Sequence, residues 1–240
     1  SPSRGLGDVY KRQVLEPLAS SQAVLSPDEQ EVGVVLVDIG GGTTDITIYS
    51  EGSIVHTAVL ALGGNHLTHD IAIGLGTPLQ EAEEIKHSDG IALSDMTDEN
   101  EMIAVPSVGG RNNRQMKKMV LAGIIEDRFR EIFELIGREI EKTHYHKLMA
   151  SGVVITGGSC IMPGVDQLAH QVLNMPVRVG FPEHISGLKE LIYSPKYATS
   201  VGLVRYGITS NQGKLNFVGD ETNLFHKVSR RMKDWMQDFF

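Results

Sequence analysis

Three glycines, two threonines and two aspartates lie together in the segment DIGGGTTD, residues 38–45. Consecutive glycines permit positive φ and carry no Cβ, so successive backbone N–H groups at Gly40, Gly41 and Gly42 can converge on one anion. Two neighbouring threonines add hydroxyl donors, and Asp38 ends an apolar run, where a carboxylate can hold a metal-bound water. The segment predicts a site for a phosphate chain with Mg²⁺; a plain glycine hairpin is the alternative.

The residues around this first glycine turn exclude two better-known phosphate motifs. The pattern GxxxxGK[ST] is absent, so the turn is not a P-loop. The β-formers ITIY, residues 46–49, follow it, whereas a GxGxxG dinucleotide motif would open a helix. The turn is therefore predicted to join two strands of a hairpin.

A second glycine turn occurs in VVITGGSCIMPG, residues 153–164. Here a strand runs into Gly157 and Gly158 and a helix follows, so backbone can approach a flat ring or a sugar. Two such turns, one in a hairpin and one between a strand and a helix, suit a nucleotide that is held at both ends. Cys160 has no His or Cys partner at metal-ligand spacing and is predicted to be a small packing residue.

The elements that position these turns alternate between strand and helix patterns, which indicates an α/β domain. Strands are predicted at 32–37, 45–50, 53–62, 153–156 and 176–180. Helices are predicted at 14–25, 66–76, 78–87, 115–147, 165–173 and 197–207, with a turn at 26–28. The second of these helices could end at either Gly74 or Gly76. The irregular stretch 88–114 is predicted to contain short strands and loops of a small inserted lobe.

Charge and composition narrow the function classes. The 240-residue chain has a formal net charge of −8, which argues against broad binding to nucleic acid because no domain-wide basic field exists. A single cysteine allows no intrachain disulfide and favours a reducing compartment. No apolar run reaches the roughly 18 residues of a membrane-spanning helix.

The last eighteen residues, NLFHKVSRRMKDWMQDFF, have an amphipathic helical pattern. The apolar stripe consists of large side chains at spacings of three and four: Leu224, Phe225, Val228, Met232, Trp235, Met236 and Phe239. Basic residues lie around the other side, and the polar segment 208–222 precedes the helix as a linker. The pattern favours an interfacial membrane anchor; a helix docked on the same domain or on a second copy is the alternative.

The opening segment SPSRGLGDVYKRQ has no hydrophobic period. DVYKRQ resembles a translation of the transposase end sequence that is used in preparing DNA for sequencing. We therefore expect residues 1–13 to be a cloning or assembly artefact and leave them out of the fold prediction. A genuine unstructured N-terminus is the alternative.

Both glycine turns resemble motifs of the actin-like ATPase superfamily, which includes actins, seventy-kilodalton heat-shock chaperones and sugar kinases. DIGGGTTD resembles its second phosphate motif, and VVITGGS resembles its adenosine motif. LEPLASSQAVL, GGNHLTHDIAIGLGTPLQEAEEIK, VPSVGGR and the amphipathic end are similar to the FtsA family of bacterial cell-division proteins. The resemblance implies an actin-like, ribonuclease H-like fold in which 14–30 is a remnant of the first lobe, 31–87 and 115–207 form the second lobe, and 88–114 belongs to an inserted subdomain.

The resemblance also implies a role for each site residue. The first turn would wrap the β- and γ-phosphates of ATP through Gly40, Gly41, Gly42, Thr43 and Thr44, and Asp38 would orient the water shell of Mg²⁺. Glu83 and Lys86 would face the ribose and adenine; from the residues alone, a plain i,i+3 surface ion pair is the alternative. The adenosine would lie against Gly157, Gly158 and Ser159, with Ile161 or Met162 against the base.

The function implied is a nucleotide-dependent membrane tether at the cytoplasmic face of the bacterial inner membrane. Such a protein would form filaments and contact other division proteins. It would link the tubulin-like protein FtsZ, through a binding region that the resemblance does not locate, to anionic lipid at the division site. ATP hydrolysis would be slow and would act as an assembly switch. A small-molecule kinase or a pilus-assembly ATPase of the same superfamily is the alternative.

The first phosphate loop of the superfamily is absent from the sequence. In actins, the residue that positions the attacking water lies near the start of the helix that 14–25 resembles, a place that falls at the suspected artefact. We therefore expect the isolated chain to bind ATP weakly or not at all.

Overall fold

The computed structural model describes residues 14–109, 112–145, 149–183 and 192–210. The predicted artefact at 1–13, the predicted amphipathic helix at 223–240 and the linker beyond residue 210 lie outside these residues. The described residues up to Arg205 belong to one compact unit; of a second unit, residues 206–240, the structure describes only 206–210.

The described elements follow the predicted alternation of strands and helices. In chain order they are α1 (Glu16–Val24), α2 (Pro27–Val32), β1 (Val34–Ile39), β2 (Thr44–Ser50), β3 (Ser53–Leu60), α3 (Gly64–Leu75), α4 (Leu79–Asp89), β4 (Met102–Val105), β5 (Arg114–Lys117), α5 (Lys118–Lys142), β6 (Val153–Thr156), α6 (Val165–Leu173), β7 (Val177–Val179) and α7 (Ala198–Ser210). Single 3₁₀ turns occur at Ser94–Met96, Gly158–Ile161 and Pro195–Tyr197.

Five of these strands form one mixed sheet in the order β3-β2-β1-β6-β7. β1, β2 and β3 are antiparallel neighbours, whereas β6 lies parallel to β1 and β7 lies parallel to β6. β1 is buried at every position, as expected for a central strand covered on both faces. β4 and β5 pair separately as an antiparallel hairpin.

Helices cover both faces of the sheet. The larger core includes residues of β1, α3, α5 and α6, and the fully buried Phe129 and Phe133 of α5 stack with ring centroids 5.9 Å apart. Buried residues of α5 recur at helical spacing, so its 25 residues present one apolar stripe to this core. A smaller core on the other face includes Val24 of α1, Leu36 of β1 and Ala198 of α7.

Several predicted boundaries need correction. Residues 26–28 were predicted as a turn, but Ser26 begins the short helix α2 through a capping box with Glu29. The long helix predicted from residue 115 begins at Lys118, because 114–117 form β5. The helix predicted at 66–76 could end at either of two glycines, and the left-handed Gly76 is the one that caps it.

Among the described residues, no helix combines the length and the apolar character that crossing a membrane requires.

Candidate nucleotide-binding cleft

The two glycine turns leave the sheet at the same edge because they follow neighbouring parallel strands. Asp38 of β1 pairs with Thr156 of β6, and each chain continues from there into its glycines. Ser159 Oγ donates to the carbonyl oxygen of Gly40 at 3.2 Å, which links the second turn directly to the first. Loops at the carboxyl ends of neighbouring parallel strands form the usual ligand site of an open α/β sheet.

The first glycine turn is closed by its own backbone. The N–H of Gly40 donates to the carbonyl of Thr43 at 2.9 Å. Consecutive glycines permit positive φ, but Gly40, Gly41 and Gly42 do not use it, since all three lie outside the left-handed region. A Cβ added at Gly42 would meet no atom within 4 Å, whereas one at Gly40 would lie 3.3 Å from the Thr43 carbonyl oxygen, so the turn leaves open space at Gly42 in particular.

The two threonines of this turn differ. Thr44 is fully buried and donates its single hydroxyl proton to the carbonyl of Leu62 at 2.8 Å. Its hydroxyl is therefore not presented to the cleft, contrary to the prediction. Thr43 is exposed, and its hydroxyl donates to Asp45 Oδ2 at 3.3 Å.

The start of α3 packs on the first turn, which the sequence analysis did not foresee. The N–H groups of Gly64 and Asn65 donate to the carbonyls of Gly40 and Gly41 at 2.9 and 2.7 Å. A Cβ on Gly63 would lie only 2.7 Å from the Gly40 oxygen, so this approach requires glycine. The signal was present in the sequence as a third glycine pair, Gly63-Gly64, directly after a predicted strand.

Glu83 and Lys86 meet on α4 as an ion pair 2.7 Å apart, and both line the cleft. Lys86 Nζ also donates to Thr68 Oγ1 at 2.8 Å and to the Gly64 carbonyl at 3.2 Å, so its three donors are engaged by the protein. Partial burial raises the pKa of Glu83, but hydrogen bonds from Lys86 and Thr68 outweigh it and hold that pKa below its ordinary value. Lys86 thus fastens α4 to α3 at the cleft wall.

The second glycine turn is shaped by the fold itself. Gly157 has φ +94°, and a Cβ there would lie 2.5 Å from both Asp38 Oδ1 and the Ile39 carbonyl. Cys160 is buried and donates to the Thr156 carbonyl at 2.9 Å, as a packing residue would. Burial, with the nearby Asp38 charge, raises the pKa of the Cys160 thiol.

Between the glycine turns, α3 and α4 lies a cleft of about 470 Å³, a size typical of ligand pockets. Seven of the predicted site residues line it: Gly40, Gly41, Glu83, Lys86, Gly158, Ser159 and Ile161. Further lining residues that were not predicted as site residues are Gly64, Asn65, Leu67, His87, Gly90, Phe129, Met162, Pro163 and Lys196. Met162 was named as the alternative to Ile161. The remaining predicted residues, Asp38, Gly42, Thr43, Thr44 and Gly157, are not among the residues that line it.

Carboxylates cluster behind the first turn. Asp38 is 6% exposed and accepts hydrogen bonds from Ser20 Oγ at 2.6 Å and from Thr199 Oγ1 at 3.3 Å. Burial raises the pKa of Asp38; the two hydroxyls oppose this rise, and the charge of Asp45 adds to it. Burial likewise raises the pKa of Asp45.

Glu16, the first residue of α1, joins this cluster and was missed by the sequence analysis. Burial raises its pKa, and the charges of Asp38 and Asp45 add to the rise while a hydrogen bond from Thr199 opposes it. The position was assigned to the neighbourhood of the artefact, although an acidic residue directly before Pro17 is a recognisable helix start. Within the described ranges, no group of three or more His, Cys, Asp or Glu side chains is arranged to hold a metal ion.

Comparisons with known proteins agree with this geometry. Residues 35–202 match the family model described as Cell division protein FtsA. The chain is 42% identical over 234 residues to the FtsA of Pseudomonas aeruginosa and 39% identical over 227 residues to that of Escherichia coli. These matches cover 95% and 92% of this chain but 56% and 53% of the relatives, so the chain spans about half their length.

Solved structures show the fold. MreB5 of Spiroplasma citri bound to ADP matches with a TM-score of 0.68 at 19% identity, over 88% of this chain and 66% of that one. The PilM-PilN type IV pilus biogenesis complex matches with a TM-score of 0.58 at 17% identity, over 82% and 53%. The predicted actin-like α/β fold is confirmed, and the chain belongs to the FtsA family of bacterial cell-division proteins.

Proposed function

We propose that this chain contributes the ATP site and the membrane anchor of a bacterial cell-division protein that links FtsZ filaments to the inner membrane. The observation that carries the nucleotide site is the contact between the two glycine turns, Ser159 to Gly40, beside a cleft of about 470 Å³. One structural neighbour, MreB5 of Spiroplasma citri, is bound to ADP, which supports a nucleotide as the ligand class.

The cleft has a polar end and an apolar end that suit the two ends of a nucleotide. At the first turn, the N–H of Gly40 is already bonded to the Thr43 carbonyl, so the amides of Gly41 and Gly42 are the ones that would approach phosphate oxygens. At the other end, Met162, Pro163 and the half-exposed Ile161 offer apolar surface to a base. Glu83, held in its ionised form, offers a carboxylate oxygen to ribose hydroxyls.

The carboxylates behind the first turn are better suited to bind a cation through its water molecules than to coordinate it directly. Oδ2 of Asp38 is already occupied by two hydroxyls, so Asp38 would act on Mg²⁺ through water. When bound, Mg²⁺ would neutralise charge on the phosphates. Glu16 would orient a water molecule from the start of α1, and any hydrolysis would be slow and serve assembly.

The nucleotide site is tested by titrating Mg·ATP and Mg·ADP calorimetrically into two proteins. One is the chain itself, expected to bind weakly because it spans about half of its relatives' length. The other is a chimera in which the rest of the Pseudomonas aeruginosa relative precedes residue 14, expected to bind at least tenfold more tightly. A folded chimera that binds neither nucleotide would contradict the site.

A charge variant locates the binding within the cleft. Gly41→Asp places a carboxylate where a phosphate is proposed and should abolish binding by the chimera. Gly123→Asp is the matched control, since a Cβ at Gly123 on α5 meets no atom within 4 Å and Gly123 is not among the lining residues. Equal binding by both variants would place the nucleotide elsewhere.

The membrane anchor, residues 223–240, is proposed from the sequence pattern. Six or seven large apolar side chains, each worth roughly 1.5–3 kcal/mol when buried, outweigh about 2 kcal/mol from two net positive charges on an anionic leaflet. Trp235→Glu should therefore abolish co-sedimentation of the chain with anionic vesicles. Gln237→Glu, on the opposite side of the helix, makes the same charge change and should leave most binding intact.

The FtsZ link is tested with the same vesicles. FtsZ should pellet with vesicles only when the chimera is present and its anchor is unmodified. If FtsZ pelleted equally with the Trp235→Glu chimera, this helix would not be the link.

A further inference from the structure

Two hydroxyl groups hold the buried carboxylate of Asp38 from the side of the helices. Ser20 of α1 is fully buried, and its Oγ donates to Asp38 Oδ2 at 2.6 Å. Thr199 of α7 lies 2.9 Å from Ser20 Oγ and 3.3 Å from the same Asp38 oxygen. The three side chains form a closed triangle of polar atoms between β1, α1 and α7.

Counting hydroxyl protons shows that Thr199 is the residue whose proton can be donated to more than one acceptor. A hydroxyl has one proton to donate, and Ser20 gives its own to Asp38. Thr199 has two acceptors within hydrogen-bond distance: Ser20 Oγ at 2.9 Å and Asp38 Oδ2 at 3.3 Å. With either acceptor, the Thr199 hydroxyl supports the carboxylate of Asp38, directly or through Ser20.

α7 holds Thr199 firmly in this place. A Cβ added at Gly202, one turn further along α7, would lie 1.7 Å from the Ala19 carbonyl, so the backbones of α7 and α1 are in direct contact. Thr199 is also β-branched and has restricted χ1 freedom in a helix. A hydroxyl fixed in this way can orient a carboxylate at little further entropic cost.

We propose that Thr199 is a positioning residue of the nucleotide site: its hydroxyl, bonded to Asp38 directly or through Ser20, orients that carboxylate toward the cation of the bound nucleotide. This inference rests on the proposed function for the ligand, while the coupling of Thr199 to Asp38 is a property of the chain alone. It assigns to α7 a part in the site that none of the glycine motifs indicates.

The first experiment measures that coupling without nucleotide, by chemical unfolding of the full chain. A double-mutant cycle uses Thr199→Val, Asp38→Ala and the double variant. It compares the stability lost on replacing Thr199 by valine when the Asp38 carboxylate is present and when it is absent. We expect valine to lower the folding equilibrium constant about tenfold beside Asp38, as for a hydrogen bond to a charged group, and less than about threefold in the Asp38→Ala background. Equal losses in both backgrounds would overturn the proposal.

Two further variants separate the hydroxyl from packing. Thr199→Ser retains the donor and should restore most of the lost stability. Thr47→Val is the matched control, because Thr47 is buried and its hydroxyl lacks a partner among the described residues, so no loss is expected. If the Thr199→Val chain does not fold, Thr199→Ala, which adds no atom to the triangle, gives the same comparison.

The second experiment measures ADP binding by the chimera with Mg²⁺ and with EDTA, because the chain itself is expected to bind nucleotide weakly. Thr199→Val should weaken Mg·ADP binding about tenfold and leave metal-free ADP binding unchanged, whereas a purely structural defect would weaken both. A tight coupling in the first experiment without any ADP binding would contradict the proposed nucleotide site and leave the positioning of Asp38 standing. ADP binding without coupling would contradict the role of Thr199 alone.

Discussion

The two glycine turns look alike in sequence but need their glycines for different reasons. At Gly157, φ is +94° and a Cβ would lie 2.5 Å from Asp38 Oδ1 and from the Ile39 carbonyl, so the fold itself excludes any side chain. At Gly42, φ is outside the left-handed region and a Cβ would meet nothing within 4 Å. The second turn is therefore a structural requirement, whereas the first leaves space that the protein does not fill.

The largest expected effect is at the second turn. Gly157→Ala should destabilise the chain by about 3 kcal/mol or more, because it combines an unfavourable positive φ with overpacking against β1. Urea unfolding followed by circular dichroism measures this loss. The buried Cys160 supplies a second measure, since its labelling by a thiol reagent should be slow in the unmodified chain and faster in the variant.

Gly158→Ala is the matched control for that prediction. Gly158 has no positive φ, and its Cβ would lie 3.9 Å from the Lys196 Cβ, an ordinary contact. The expected cost is below about 1 kcal/mol. Similar losses of unfolding free energy at Gly157 and Gly158 would show that Gly157 has no special structural requirement, which would contradict the contrast drawn between the two turns.

A smaller effect is expected at the threonines of β2, which test how the first turn is held. Thr44→Val removes the bond to the Leu62 carbonyl and should cost about 1–2 kcal/mol of unfolding free energy. Thr47→Val removes an unpartnered buried hydroxyl from the same strand and should be neutral or stabilising. Equal effects would indicate that the Thr44 hydroxyl does not anchor the turn.

The order of strands and helices could be predicted from the sequence, because hydrophobic periodicity and the positions of glycines depend on local structure. The helix predicted at 165–173 and the strand predicted at 153–156 have the bounds found in the structure. The backbone angles of the first turn could not be predicted, since glycines permit positive φ but a hairpin loop closed by a Gly40–Thr43 hydrogen bond does not need it. A glycine in the sequence does not show whether the position requires a positive φ or only requires that no Cβ be present.

Contacts between distant segments could not be predicted. The packing of α3 on the first turn and the approach of Thr199 to Asp38 join residues more than twenty positions apart and depend on how α3 and α7 lie on the sheet. No periodic pattern encodes such a contact. Glu16 was overlooked for a different reason, because the water-positioning residue was expected within the N-terminal segment that was set aside as an artefact, although Glu16 lies beyond that segment.

The charge near the first turn gives a pH prediction. Burial raises the pKa of Asp45, so the folded state binds a proton more readily than the unfolded state, and stability falls as pH rises through the folded-state pKa. Asp45→Asn should therefore stabilise the chain at neutral pH by less than about 1 kcal/mol, since solvent screens this half-buried group. The gain should shrink as the pH is lowered toward about 4. Thermal unfolding across this pH range checks both statements, and a gain that grew on acidification would contradict them.

The smallest expected effect on the fold is also the sharpest test of the comparison. Gly42→Ala should change the unfolding free energy by no more than about 0.5 kcal/mol, because the added methyl group meets no protein atom and restricts the unfolded chain. Nucleotide binding by the chimera should nevertheless weaken, because the methyl group enters the space proposed for phosphate. A variant that keeps both its stability and its affinity for Mg·ATP would mean that Gly42 is required neither by the fold nor by the ligand. The open space at Gly42 could then no longer be interpreted as the place of a bound phosphate.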